Sequence, residues 1–380
     1  MIVSAPGKVL LLGGYAVLEG YPALSIAVVD GDGAGVKAVA GDGRGRRLVS
    51  KEFGIDRPVG EPEKEIAHAT GPERFAVCAY SVANAYLNEK GKMPADMAIE
   101  LDNSPIFGGK DEKSGLGSSA AATVALVGAM MEGAGLPVKD NREKIHRLAQ
   151  LAHSMASGKV GSGFDIATSC FGTIEYARNP KVAPGLVIKG TDAGFGKELA
   201  ALVDGDWPGM KIEPASLGGF ELMVFNIRGA KTSTVSSVKA MRRLAEYVPE
   251  LYSNLILAQA EGERAAREGL AKGDEGAVRE GMHAARATNR RMTAWVERVG
   301  MLRFDPIEPK QLGALIDKAE EMDGVVAGRC PGAGGFDSVA FIVRKKSAGT
   351  IDKIRTLGKG LGLTLEYVDA FVTKEGVKKL

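Results

Sequence analysis

The segment Lys113-Ser114-Gly115-Leu116-Gly117-Ser118-Ser119-Ala120-Ala121 constrains this chain more than any other. Two glycines free the backbone to curl, two hydroxyls follow, and an apolar run then begins, which predicts a buried helix over Ser118–Gly133. The first turn of a helix carries unpaired N–H groups and the positive end of its dipole, so this junction suits an anion such as phosphate. Ser118 or Ser119 can cap the helix, touch phosphate or hold a metal-linked water; an ordinary serine cap on a small-residue turn is the plain alternative. Other known loop types are absent from the sequence. It has no G-x-x-x-x-G-K-[ST], no G-x-G-x-x-G after a strand and no G-x-S-x-G.

Three more glycine loops accompany it. Ser4-Ala5-Pro6-Gly7-Lys8 leads into an apolar strand, Val9–Leu12, and then Gly13-Gly14-Tyr15. A lysine at the start of a buried strand is costly without an anionic partner; an exposed strand end is the bland reading. Gly158-Lys159-Val160-Gly161-Ser162-Gly163-Phe164-Asp165 brings a lysine and a carboxylate into a tight space, although Asp165 could simply cap a short helix. Pro331-Gly332-Ala333-Gly334-Gly335-Phe336-Asp337 joins two strands and is longer than a plain hairpin requires.

Glycine makes up 51 of the 380 residues, about 13% against a usual share of roughly 7%. The hydrophobic fraction of 45% and charged fraction of 25% are those of an ordinary globular chain, so disorder and collagen are excluded. The length suggests two domains. A net charge of +2 gives no global argument for nucleic acid or an anionic membrane. Cys78, Cys170 and Cys330 are few and far apart, which points to a reducing compartment, and neither CxxC nor HExxH indicates zinc. The run Ala120–Met131 is too short to span a bilayer. Lys8 interrupts the place of a signal peptide's apolar stretch, so a cytoplasmic location is expected. Lys378-Lys379-Leu380 weakly resembles a peroxisomal signal, with a frayed basic C-terminus as the preferred reading.

Apolar patterning predicts strands at Val9–Leu12, Ala23–Val29, Val36–Ala40 and Met97–Leu101, and a helix over Glu73–Glu89. Asp140-Asn141-Arg142-Glu143 has the form of a capping box starting a helix that ends near Ser157. Residues 179–219 are rich in glycine and proline with little periodicity, and the domain boundary falls there, giving residues 1–218 and 219–380. From strand Glu221–Ile227 onward, three helices (Ser233–Tyr247, Glu250–Glu268, Asp274–Val299) precede helix Pro309–Met322, strands Val325–Ala327 and Ser338–Val343, helix Thr350–Gly360 and strand Leu363–Val368. That is βαββαβ with a helical insertion, a ferredoxin-like pattern. Most arginines of the inserted helices read as a solvated face. Asn103–Phe107 and Tyr80–Tyr86 are candidate walls for a base pocket.

The four loops, taken in chain order, resemble the GHMP kinase family. Ser4–Gly20, Lys113–Ala122 and Gly328–Ala340 look like its three motifs. Gly13-Gly14-Tyr15 (where mevalonate kinases usually carry Gly-Glu-His), Gly158–Asp165, Asn289-Arg290 and Ile307-Glu308-Pro309 are similar to its phosphomevalonate kinase branch. The resemblance implies an α+β, two-domain fold: an N-terminal ATP-binding domain of the ribosomal-protein-S5 type and a ferredoxin-like C-terminal domain. It implies ATP, Mg²⁺ and γ-phosphoryl transfer to 5-phosphomevalonate in isoprenoid biosynthesis, by a monomer or homodimer. Lys8 and Asp165 would be catalytic. Lys113, Gly115, Leu116, Gly117, Ser118, Ser119 and Ala120 would hold ATP, with Ser119 also at the metal. Lys159, Ser162, Gly13, Tyr15, Gly334 and Gly335 would face the acceptor, with Lys110, Lys113, Arg228 and Arg290 as further phosphate ligands. Phosphorylation of mevalonate or another small alcohol, and a catalytically silent sensor on the same fold, are the alternatives.

Overall fold

Strand Ala23–Val29 (ALSIAVV) is buried at all seven positions, as its unbroken apolar sequence requires of a strand covered on both faces. In the computed structural model, which describes residues 1–41, 45–51, 54–71, 73–94, 96–107, 115–179, 194–229, 234–300 and 304–380, this strand is the centre of a five-stranded sheet. Gly7–Leu12 runs antiparallel along one edge of it, and Ile174–Arg178 and Phe371–Thr373 share the other. Met210–Pro214 extends the sheet beyond Ile174–Arg178. A six-stranded sheet orders Lys378–Lys379, Ile2–Ala5, Val36–Gly41, Ala98–Asp102, Arg47–Ser50 and Ile55–Pro58. Its pairing of Arg47–Ser50 with Ala98–Asp102 is parallel.

Helices Arg74–Glu89, Ser118–Gly133 and Arg142–Ser157 pack together over this part of the chain. Ala120–Met131 is buried throughout. Gly128 lets the helix approach the first strand, since a Cβ there would sit 3.0 Å from a Val3 methyl. No helix among the described residues is long and apolar enough to cross a membrane.

The third sheet orders Val325–Arg329, Ser338–Val343, Glu221–Ile227 and Leu365–Val368, all antiparallel. In chain order this is 2-3-1-4, the ferredoxin-like arrangement. Helices Thr234–Tyr247, Pro249–Lys272, Glu275–Arg298 and Lys310–Ala319 come between its first two strands, and Ala348–Gly360 precedes its last. One apolar cluster runs across both halves: Leu222, Val224, Ala266, Leu270 and Ile342 join Leu11, Leu12 and Val124.

Four expectations are corrected. Asp140 lies in a short 3₁₀ turn, and helix Arg142–Ser157 starts from Asn141 without a side-chain cap, so no capping box forms. The stretch 179–219 contains helix Phe195–Asp204 and strand Met210–Pro214, whose short apolar patterns the surrounding glycines and prolines mask. Tyr80 and Tyr86 are 0% and 1% exposed, their hydroxyls donating to Met97 O and Asp204 Oδ1, so they are core rather than pocket wall. The C-terminus is not frayed: Lys378 and Lys379 pair with Ser4 and Val3, and the Leu380 N–H donates to Ile2 O at 3.0 Å.

Candidate functional site

Lys8 stands on strand Gly7–Leu12, and the chain around it leaves its ammonium little choice of place. Its backbone N–H donates to Leu116 O at 2.7 Å and its Nζ to Gly115 O at 3.0 Å, so the strand is sewn to the glycine loop at both ends of one residue. Gly117 makes room for this. Its φ is +76°, and a Cβ there would lie 3.0 Å from the Lys8 side chain. Gly7 likewise admits the Phe107 ring, which a Cβ would meet at 2.5 Å.

Helix Ser118–Gly133 opens from Gly117 with no side-chain cap. The intrahelical ladder begins with Ala121 N–H to Gly117 O at 3.1 Å, so the N–H groups of Ser118, Ser119 and Ala120 precede it. Ser118 and Ser119 are half-buried and Gly115 is exposed. The plain alternative, a serine cap, is therefore absent, and the helix start keeps its donors and dipole for an anion. Leu116 and Ala120 are buried supports beneath it. Lys110 and Lys113 lie outside the described residues.

On the other side of Lys8 stands the third loop. Gly158 ends helix Arg142–Ser157 at φ +67°, and Gly163 starts helix Phe164–Phe171 at φ +87°. The Lys8 Nζ lies 5.8 Å from the centroid of the Phe164 ring, a cation–π distance. Burial pushes the Lys8 pKa below the ordinary lysine value, and the Asp165 carboxylate opposes that shift. Asp165 sits in the first helical turn, half-buried, its Oδ1 accepting the Ile166 N–H at 3.0 Å. Lys159 is exposed.

Two residues of strand Ile174–Arg178, missed from the sequence, fasten this loop. Tyr176 OH donates to Ser162 O at 2.7 Å, and Arg178 Nη2 to Gly161 O at 2.5 Å. Tyr176 is 0% exposed and also backs Gly163. The alternation of Ile174 and Tyr176 with Glu175 and Ala177, which turns the tyrosine inward, was the available signal. Tyr176→Phe leaves the Ser162 carbonyl without its donor, and a stability loss of about 1–3 kcal/mol is expected from urea unfolding. An unchanged midpoint would show that the loop does not depend on this bond.

The fourth loop docks on the first. Gly332 N–H donates to Leu10 O at 2.9 Å, Gly335 N–H to Ile307 O at 3.0 Å, and Tyr15 OH to Ala333 O at 2.8 Å. Tyr15 is 1% exposed, and burial raises its pKa. Gly13 gives its N–H to Glu263 Oε2 at 2.9 Å. Gly334 N–H donates to Pro331 O, and a Cβ there would meet Ile307 O at 2.1 Å. The expectation that Gly13, Tyr15, Gly334 and Gly335 face the acceptor thus gives way to a structural seam, because their donors are already engaged. Arg228 and Arg290 are likewise committed, to Glu366 and Glu308 at 2.5 Å and 2.6 Å. Arg286 is not solvated but 2% exposed, pairing with Glu308 at 2.8 Å.

The arrangement gathers an anion-binding helix start, a desolvated lysine and a carboxylate around Lys8. Comparison with known proteins agrees with that chemistry. Residues 76–173 match the N-terminal domain of GHMP kinases. The phosphomevalonate kinase of Gibberella zeae is 28% identical over 90% of this chain and 87% of its own. That of Candida albicans is 27% identical over 98% and 96%. The Streptococcus pneumoniae phosphomevalonate kinase, solved with phosphomevalonate and AMPPNP, superposes with a TM-score of 0.74 at 18% identity, covering 98% of this chain and 100% of its own.

Proposed function

We infer that the chain is a GHMP kinase and that it transfers the γ-phosphoryl group of ATP to 5-phosphomevalonate, forming the diphosphate. One observation carries the reading at the level of residues. The Lys8 ammonium is held between the Gly115–Ser119 loop and the Phe164–Asp165 turn, where a donor phosphate and an acceptor phosphate would meet.

Phosphoryl transfer is mainly positioning and charge stabilisation. A phosphate acceptor, with a second pKa of about 6, is already mostly anionic at neutral pH, so removing a proton is a lesser task than for an alcohol. The greater obstacle is repulsion between two polyanions. In this reading the free N–H groups of Ser118, Ser119 and Ala120 hold the ATP phosphates, and Lys8 bridges the γ-phosphate and the acceptor. Lys159 clamps the phosphate of phosphomevalonate, beside Ser162. Asp165 orients Lys8 and the acceptor.

Mg²⁺ would ride on the triphosphate. Among the described residues no group of three or more His, Cys, Asp or Glu side chains could hold a metal. Mg²⁺ commonly keeps waters and substrate phosphate oxygens as most of its ligands. The half-buried Ser119 hydroxyl, at the first helical turn, is a suitable hard oxygen donor. Bound there, the ion would neutralise charge on the phosphates.

We assign residues 1–218 to ATP binding and 219–380 to completing the acceptor side, with the last two strands crossing back. The three cysteines are free and buried, which supports a reducing compartment such as the cytoplasm. The deciding experiment is ADP release with mevalonate and phosphomevalonate offered separately. Turnover of phosphomevalonate alone is expected. Turnover of mevalonate alone would reassign the acceptor, and turnover of neither would favour a sensor.

A further inference from the structure

Behind the seam between the first and fourth loops lies a junction of buried polar atoms that phosphate binding does not explain. Glu263, on helix Pro249–Lys272, is 0% exposed, and its two carboxylate oxygens go to different loops. Oε2 accepts the Gly13 N–H at 2.9 Å, and Oε1 pairs with Arg329 Nη1 at 3.0 Å. Gly13 directly follows the strand that carries Lys8; Arg329, 2% exposed, ends the strand that leads into Pro331–Gly335. One helical turn earlier Gln259, also 0% exposed, accepts the Ala16 N–H at 3.1 Å and donates to Asn289 Oδ1 at 2.6 Å.

A fully buried ion pair is a poor source of stability, because desolvation offsets most of its attraction and apolar residues of similar volume often serve as well. What this pair does supply is a fixed distance between two loops that are far apart in sequence. We propose that Glu263 is a positioning residue for phosphoryl transfer. It locks the Gly13 turn, and through it the strand bearing Lys8, against the Pro331–Gly335 loop. The role in transfer rests on the kinase reading above; the locking itself does not.

Two variants separate this from a purely structural role. Glu263→Gln leaves Arg329 buried without a counter-charge and is expected to lower Tm. The double variant Glu263→Leu/Arg329→Met removes both charges at similar volume and is expected to recover most of that loss, short of the parent by the cost of the Gly13 N–H left without its acceptor. Turnover of phosphomevalonate by the double variant should nevertheless stay down by about 10²-fold, the scale of a 1 Å misplacement. Amide hydrogen exchange should rise together in residues 9–18 and 330–336. Recovery of kcat along with Tm would overturn the positioning role, and faster exchange in only one of the two loops would overturn the locking. If the parent enzyme does not turn over phosphomevalonate, the kinase reading fails, while the exchange measurement still decides whether Glu263 joins the loops.

Discussion

Lys8→Met is expected to lower kcat by about 10³-fold, the scale of losing a preorganised charge that stabilises a transferring phosphoryl group. The folded protein should not suffer for it. Burial already disfavours the Lys8 ammonium, as the direction of its pKa shift records, and methionine fills a similar volume without that penalty. Tm of the free protein should therefore hold or rise while activity collapses, a separation expected where function is bought with local strain. The same shift sets a pH dependence. The ammonium is the active form, and it is lost as pH rises through a pKa below that of ordinary lysine. The alkaline limb of kcat/KM, which reports the free enzyme, should therefore start at lower pH than an unperturbed lysine would give. In the limb of kcat, bound phosphates hold the proton and move the fall to higher pH. A kcat within tenfold of the parent would remove Lys8 from the centre of the mechanism.

Asp165→Asn should reduce kcat by about 10²-fold or more. Asparagine retains an oxygen for the Ile166 N–H, so the helix start at Gly163 is preserved, and only the charge facing Lys8 is lost. An orienting role and a general-base role differ in what remains. If Asp165 only aligns Lys8 and the acceptor, the acidic limb of the variant still follows ionisation of the phosphate acceptor itself. If it removes a proton, that limb changes shape. A drop of only a fewfold would mean that Lys8 is held well enough by Gly115 and Phe164 without it.

Much of this was legible in the sequence wherever a local pattern and a tertiary role coincide. Ala23–Val29, Ser118–Gly133, Glu221–Ile227 and Ser338–Val343 have the bounds their apolar runs predict, because each is buried along most of its length. Lys8, Gly117 and Asp165 were recognisable because unusual residue types stand at turn positions. What stayed hidden depends on partners remote in sequence. Nothing near Glu263 or Gln259 announces that they face inward, since acidic and amide side chains on a helix usually meet water. Their targets lie some 250 and 243 positions earlier. Tyr15 and Gly335 sit in motifs that invite a ligand reading, yet the Tyr15 hydroxyl bonds to Ala333 of the fourth loop and the Gly335 N–H to Ile307. The glycine excess outside the four loops finds a partial explanation in the helix pair Pro249–Lys272 and Glu275–Arg298. A Cβ on Gly281 would lie 2.4 Å from Ala266 N, and one on Gly269 2.7 Å from Val278 N. Those glycines let two helices touch backbone to backbone, a need invisible in either helix alone.

The return of the last strands to the first sheets has a consequence for how the protein is made. Val3 and Ser4 bond to Lys379 and Lys378, and Val28 and Val29 to Val372 and Phe371. The Cys170 carbonyl, at the end of the helix that carries Asp165, accepts the Val377 N–H. On a ribosome adding roughly 5–20 residues per second, the opening strands therefore wait tens of seconds for these partners. Until then the first sheet keeps an open edge, and open edges invite pairing with other chains. Neither sheet of the first half is complete until residues 371–379 have been made, so its open edges need shielding while everything between is synthesised.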